Sequence, residues 1–288
     1  MSEYMIFTDS SCDIPESTLE QWNVKELKLT FHFTDSEKEY TNSDIPAKEF
    51  YDLMREGKVA KTSAVNTETF KQAFEPVLKE GKDLLYIGFS SGLSNTVNAG
   101  QLAANELLES YPERKIIVVD TLCASAGQGL LVRLAVDKRD SGASLEELAA
   151  YLEENKLHLC HEFTVDDLVY LKRGGRVSPT VALIGTMLSI KPVMHVDNEG
   201  HLIKVGQVRG RKAALKALVN KYSEKALDPE HGLIFICQAD CMDDAKRVEE
   251  MIQARHNNNV DMIVYTGQVI GAHSGPGTLA LFYLGKER

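Results

Sequence analysis

Three short stretches in the first half of the chain, residues 4–8, 83–89 and 115–120, are apolar with little alternation. That is the pattern of strands covered on both faces in a parallel sheet. Residues 27–33 instead alternate apolar and polar positions, as a half-buried strand does. Between the strands, helices are expected at 49–55, at 67–79 and from about 125, with an earlier start marked by Asp13, Pro15 and Glu16. Ser144 with Glu147 reads as a capping box that opens a further helix to about residue 154. Residues 34–44 and 61–66 read as loops.

The stretch 83–96 carries the strongest local signal. Leu84, Leu85, Tyr86, Ile87 and Phe89 run straight into Ser90, Ser91, Gly92, Ser94 and Thr96, and Val97, Leu102, Leu107 and Leu108 follow at helical spacing. Ser94 is the expected N-cap. A strand end, a glycine turn and a helix N-terminus together form an anion site.

Strands alternating with helices predict an α/β domain over residues 1–157, built on a parallel sheet. From 158 to 288 the pattern changes. Thr164 with Asp167 reads as a second capping box, before a short helix ending at Gly174 and Gly175 and an apolar helix at 181–190. Residues 191–196 and 201–208 around the turn 197–200 read as a β-hairpin. Further strands at 233–239, 261–265 and 279–284, with helices at 212–226 and 243–254, predict an α+β domain with a mixed or antiparallel sheet. With no Gly/Ser linker between the halves, tight packing is expected, with the ligand in the cleft between them.

Composition narrows the function classes. The 288 residues are 43% hydrophobic and 26% charged, with a formal net charge of -10. Such a balance argues against nucleic acid as the main partner. No apolar run reaches the roughly 20 residues of a membrane span. The start, MSEYMIFTDS, enters a strand directly and lacks the charged and apolar regions of a signal peptide. Cys12, Cys123, Cys160, Cys237 and Cys241 are odd in number and without zinc-type spacing. Reduced thiols in a cytoplasm, and no metal, are the expectation.

Several polar elements compete for the cleft. Thr8, Asp9, Ser10 and Ser11 end the first strand, either as ligand groups or as caps for the next helix. Gly88-Phe89-Ser90-Ser91-Gly92 matches the G-x-S-x-G nucleophile elbow, and His273 follows in the order a hydrolase triad requires. An elbow demands a helix directly after Ser90, whereas the helical pattern begins near Ser94. Lys172 and Arg173 suit a helix C-terminus and the two glycines a C-cap, which leaves Arg176 free for an anion or partner. Arg209, Arg211 and Lys212 form a second basic knot. His273 sits in Gly271-Ala272-His273-Ser274-Gly275-Pro276-Gly277, read as a turn that permits close backbone approach.

Taken in order, eight segments resemble the DegV family of bacterial fatty-acid-binding proteins, which includes the acyl carriers of the fatty acid kinase system. They are TDSSCDIP (8–15), KTSA (61–64), FSSGLSNT (89–96), VDTLCASAGQGLLV (119–132), LVYLKRGGRVS (168–178), IKPVMHVDNEGHL (190–202), VRGRKAAL (208–215) and AHSGPGTLAL (272–281). The resemblance implies a long-chain fatty acid in a buried tunnel between two domains, with no other cofactor. Thr62, Ser94 and His273 match the positions that hold the carboxylate. Arg176 and Arg209 match positions tied to engaging an ATP-dependent kinase subunit, which forms an acyl phosphate for lipid synthesis. On this reading the protein is a lipid-binding carrier rather than an enzyme. The alternatives are a serine hydrolase using Ser90, and a binder of another lipid that meets no kinase.

Two departures from the family pattern stand out. Ala64-Val65 replaces the frequent Gln-Pro, which bears on the shape around Thr62. Asn95 replaces the Gly of Leu-Ser-Gly-Thr, and Asn is the best substitute for Gly in a left-handed conformation.

Overall fold

The computed structural model describes residues 3–178 and 189–288. Its first sheet is fully parallel, in the order β2 (Val24–Leu27), β1 (Tyr4–Asp9), β6 (Asp83–Gly88) and β7 (Ile116–Asp120). Helices cover both faces, so every residue of β6 is buried. The expected helix at 67–79 is observed as α3 (Thr67–Lys79), capped by Asn66, whose side chain accepts from Thr69 N. The Ser144–Glu147 capping box is formed in both directions.

A six-stranded mixed sheet comes from the second half, in the order β10 (Leu202–Arg209), β9 (Ile190–Val196), β8 (Leu159–Thr164), β13 (Leu279–Leu284), β11 (Ile234–Gln238) and β12 (Met262–Tyr265). All neighbours are antiparallel except β11 and β12. The β9–β10 hairpin has a bulge between Lys204 and Gly206. The helices Arg211–Lys225 and Met242–His256 pack on each other and on this sheet.

Four expectations are corrected. Residues 27–33 are not one strand: the chain leaves the parallel sheet after Leu27 and begins β3 (Thr30–Phe33) in a separate antiparallel sheet. Residues 61–66 are not all loop: β5 (Ala60–Ser63) pairs with β3, and β4 (Glu39–Tyr40) completes that three-stranded sheet. The second capping box is not formed. Thr164 lies within β8 with its hydroxyl unpartnered among the described residues, and Asp167 instead accepts from Val169 N at 2.8 Å. His273 is not in a turn but in the last turn of a helix, Gln268–Ser274. Residues 181–188 of the helix expected at 181–190 lie outside the described residues, and Ile190 already begins β9.

The halves interlock rather than meet at a flat face. The helix Gln268–Ser274 follows β12 but docks among the first-half elements. The Gln268 amide donates to the carbonyls of Asn42 (3.0 Å) and Ile45 (2.6 Å), and the Tyr51 hydroxyl donates to the Thr266 carbonyl at 2.6 Å. In return α5 (Ala126–Asp140) packs against β8, β11 and β13. Among the described residues no helix is long and apolar enough to cross a membrane.

Candidate ligand-binding site

The C-terminal ends of β1, β6 and β7 point toward the six-stranded sheet, where α/β folds place ligand groups. At β1 the polar residues are structural. Asp9 is fully buried and accepts from Tyr86 Oη (2.7 Å), Phe89 N (3.0 Å), Gln128 Nε2 (3.2 Å) and Ser11 N (3.1 Å). The bond from Ser11 N makes Asp9 the cap of the following 3-10 turn. Burial raises its pKa.

At β6, Ser90 is also spent. It is fully buried, its hydroxyl donates to the Gly200 carbonyl at 2.9 Å, and Gly92 N donates to it at 3.2 Å. Gly92 serves this contact: a Cβ there would lie 2.8 Å from the Glu199 carbonyl oxygen. The next helix, α4 (Thr96–Ser110), starts six residues after Ser90, so no nucleophile elbow is present. Ser94 is not the N-cap. Asn95 holds that position with φ −81°, so the turn needs no left-handed residue. Ser94 Oγ accepts from Thr96 N at 3.2 Å and lies 2.9 Å from Thr96 Oγ1. When Thr96 donates in that pair, the Ser94 proton is left for a ligand.

Between the parallel sheet and the six-stranded sheet lies a cavity of about 340 Å³. Its walls are mostly apolar, with Leu29, Phe89, Phe163, Val196, Val269 and Phe282 among them. Thr62, Ser94, Arg176 and His273 all line it. Arg209 does not; it is exposed at the end of β10.

Each polar group is set by a different element. Thr62 comes from the edge strand β5, opposite Phe31. His273 comes from the interlocked helix, and its Nε2 lies 2.8 Å from Thr62 Oγ1. Its Nδ1 is buried without a partner among the described residues. Burial, reinforced by the Arg176 guanidinium, pushes the His273 pKa down to about 4, so the ring is neutral at neutral pH. With the proton on Nε2, the ring donates to Thr62 and orphans only a lone pair. The Thr62 proton is then free to face the cavity.

Gly174 explains part of this placement. A Cβ at 174 would lie 2.2 Å from His273 Nδ1, so the ring seats directly against the glycine backbone. The sequence assigned Gly174 only a C-cap duty, and no periodicity signals a ring packed on it. Arg176 follows at once. Its Nε donates to the Leu93 carbonyl at 3.1 Å and its Nη1 to the Gly174 carbonyl, tying the turn after α7 (Val169–Arg173) to the Ser-rich turn. Burial lowers the pKa of Arg176.

At the other end of the cavity His161 is the counterpart of His273. Its Nδ1 lies 3.1 Å from the Leu159 carbonyl and its Nε2 accepts from Ala124 N at 3.1 Å, so both nitrogens are occupied. Burial holds its pKa well below the ordinary range. Ser125, Cys237 and Thr266 line the same end, and sequence reasoning picked out none of them as ligand groups. No cluster of metal-ligating side chains occurs among the described residues.

Comparison with known proteins places this geometry. The family model "Uncharacterised protein, DegV family COG1307" matches residues 3–286. A DegV domain-containing protein of Clostridium perfringens is 43% identical over 289 residues, covering 100% of this chain and 99% of that protein. The structure of a fatty-acid-binding DegV family protein from Thermus thermophilus superposes with a TM-score of 0.88 at 29% identity, covering 99% of this chain and 100% of that one. A DegV lipid-binding protein from Thermotoga maritima gives 0.86 at 30% identity, covering 99% of each. The chain belongs to the DegV family.

Proposed function

We propose that this protein binds one long-chain fatty acid in the cavity between its sheets, with the carboxylate at Thr62, Ser94 and His273. The observation that carries the reading is the convergence of these three groups and Arg176 at one end of a mostly apolar cavity. The fatty-acid-binding relative from Thermus thermophilus supports the ligand class. Burying a chain of about 15 methylenes is worth on the order of 12 kcal/mol gross, at roughly 0.8 kcal/mol each. Tail burial therefore sets affinity, while the hydroxyls fix the head group.

Neutral donors leave the carboxylate nucleophilic. In this reading a partner kinase brings ATP, a carboxylate oxygen attacks the γ-phosphorus, ADP leaves, and an acyl phosphate results. Arg176 is suited to the charge that develops on the phosphate, and exposed Arg209 to contact with the kinase. We place the carrier in the cytoplasm and divide it into domains 1–157 and 158–288, with the ligand running in a tunnel between them.

Native mass spectrometry of the purified protein tests the ligand. A non-covalent mass in the fatty-acid range, released on denaturation, is expected. No such mass, together with no uptake of added oleate or palmitate, overturns the reading, and a bound lipid of another class redirects it. Adding a fatty acid kinase subunit with ATP and trapping the product with hydroxylamine tests the partner. The hydrolase reading has no support from the geometry, because the Ser90 hydroxyl is committed to Gly200 and His273 to Thr62.

A further inference from the structure

A cavity built only for a hydrocarbon tail has no use for hydrogen-bonding groups far from the carboxylate, yet this one has them. One wall runs from Thr266 to His273, and its helical part alone, from Gln268 to His273, rises roughly 7.5 Å at 1.5 Å per residue. At the Thr266 end, Ser125 Oγ donates to Asp13 Oδ2 at 2.5 Å and lies 3.1 Å from Cys237 Sγ. Ser125 and Asp13 both have a φ of 55°, a left-handed backbone that non-glycine residues rarely hold, and the two are joined directly. Strain of this kind persists where surrounding structure enforces it and clusters at ligand sites.

Thr266 adds an independent observation. It is fully buried, its carbonyl accepts from Tyr51 Oη, and its N–H donates to the Gln238 carbonyl at 2.9 Å. Its hydroxyl lines the cavity beside the Cys237 thiol, a weak partner, and makes no standard hydrogen bond among the described residues. The backbone is thus fixed at both ends while the side-chain group, with only a weak thiol partner, keeps hydrogen-bonding capacity.

We propose that Thr266 and Ser125, beside Cys237, form a second polar subsite that receives a neutral hydroxyl or keto group carried on the ligand's acyl chain. This rests on the fatty-acid reading above and names its substrate class more closely. Among the described residues an unsubstituted chain leaves the Thr266 hydroxyl with no partner stronger than the Cys237 thiol, whereas an oxygenated chain pairs with it. A second carboxylate does not fit. Arg176, at the opposite end, is the single cation lining the cavity among the described residues.

The test is competitive binding of stearate against a set of hydroxystearates with the hydroxyl moved along the chain. One mid-chain isomer is expected to bind about fivefold more tightly than stearate, the worth of one net hydrogen bond. In Thr266→Val, which keeps the side-chain shape, that ratio is expected to fall to one or below. Ser125→Gly, which suits the left-handed backbone, is expected to lower it in part. Thermal unfolding confirms that each variant is folded. Stearate binding with no preference for any isomer, or a preference that survives Thr266→Val, overturns the subsite and leaves the fatty-acid reading intact. Failure of stearate and every isomer to bind overturns both.

Discussion

The two ends of the cavity each hold a neutral histidine pressed against a glycine, and they differ in what the ring has left to give. At His161 both nitrogens are occupied by backbone groups, and a Cβ on Gly127 would lie 2.3 Å from Nε2. At His273 one nitrogen meets a threonine hydroxyl and the other has no partner among the described residues, with Gly174 equally close. Burial suppresses protonation at both. A low pKa therefore does not distinguish a structural histidine from a ligand-facing one; the unspent hydrogen-bonding capacity around it does.

The largest expected effect separates the ends. Thr62→Val combined with Ser94→Ala removes two neutral donors to a charged acceptor, each worth about 1.5–3 kcal/mol, so fatty-acid affinity should fall roughly a hundredfold or more. Competition binding with oleate measures this, and unchanged affinity would place the carboxylate elsewhere. Next come the two glycines. Gly174→Ala and Gly127→Ala each overpack a ring and should cost about 1–3 kcal/mol of stability. Only Gly174→Ala should also weaken ligand binding, because it displaces the ring that orients Thr62. Equal binding losses in the two variants would erase the distinction between the ends.

The α/β alternation, the hairpin and the Ser-rich turn were legible because each is written in local pattern. Thr62, Ser94, His273 and Arg176 came from motif resemblance, and the structure brings all four to one cavity. What stayed hidden was tertiary. β5 is a four-residue strand whose only described partner is β3, far away in sequence, so its stretch read as loop. Gly174 read as a C-cap because nothing near it in the chain announces a ring arriving from residue 273. The Ser125–Asp13–Cys237 contact joins three distant segments, and two of its members sit in backbone conformations that sequence does not signal.

Acid titration sharpens the comparison with opposite signs. The folded-state pKa of His273 is depressed to about 4 from an ordinary 6.5, so folding favours the neutral ring. Its contribution is fully present above pH 6.5 and is lost as pH falls toward 4, because the unfolded chain binds the extra proton. Asp13, buried at the other end, is raised from 3.8 to about 8. Its folded form holds the extra proton across that window, so stability falls as pH rises from about 4 to 8. Chemical denaturation across pH should show the acid-side loss reduced by about one proton in His273→Gln, and the alkaline-side loss reduced likewise in Asp13→Asn. An unchanged slope in either variant would mean that the group is solvated rather than buried.

The smallest effect concerns Ser90. Ser90 joins the parallel sheet to the hairpin tip through Gly200 and does not line the cavity. Ser90→Ala removes two hydrogen bonds, one to the Gly200 carbonyl and one from Gly92 N, so a loss of about 1–2 kcal/mol is expected. Thermal unfolding measures it. A fluorophosphonate probe should leave the protein unlabelled, because an attacking hydroxyl needs a base and this one faces a carbonyl. Labelling that disappears in Ser90→Ala would instead make this serine a nucleophile and move the chemistry out of the cavity. Without labelling, Ser90 holds the hairpin tip to the Ser-rich turn, and Ser94, four residues on, is left to meet the ligand.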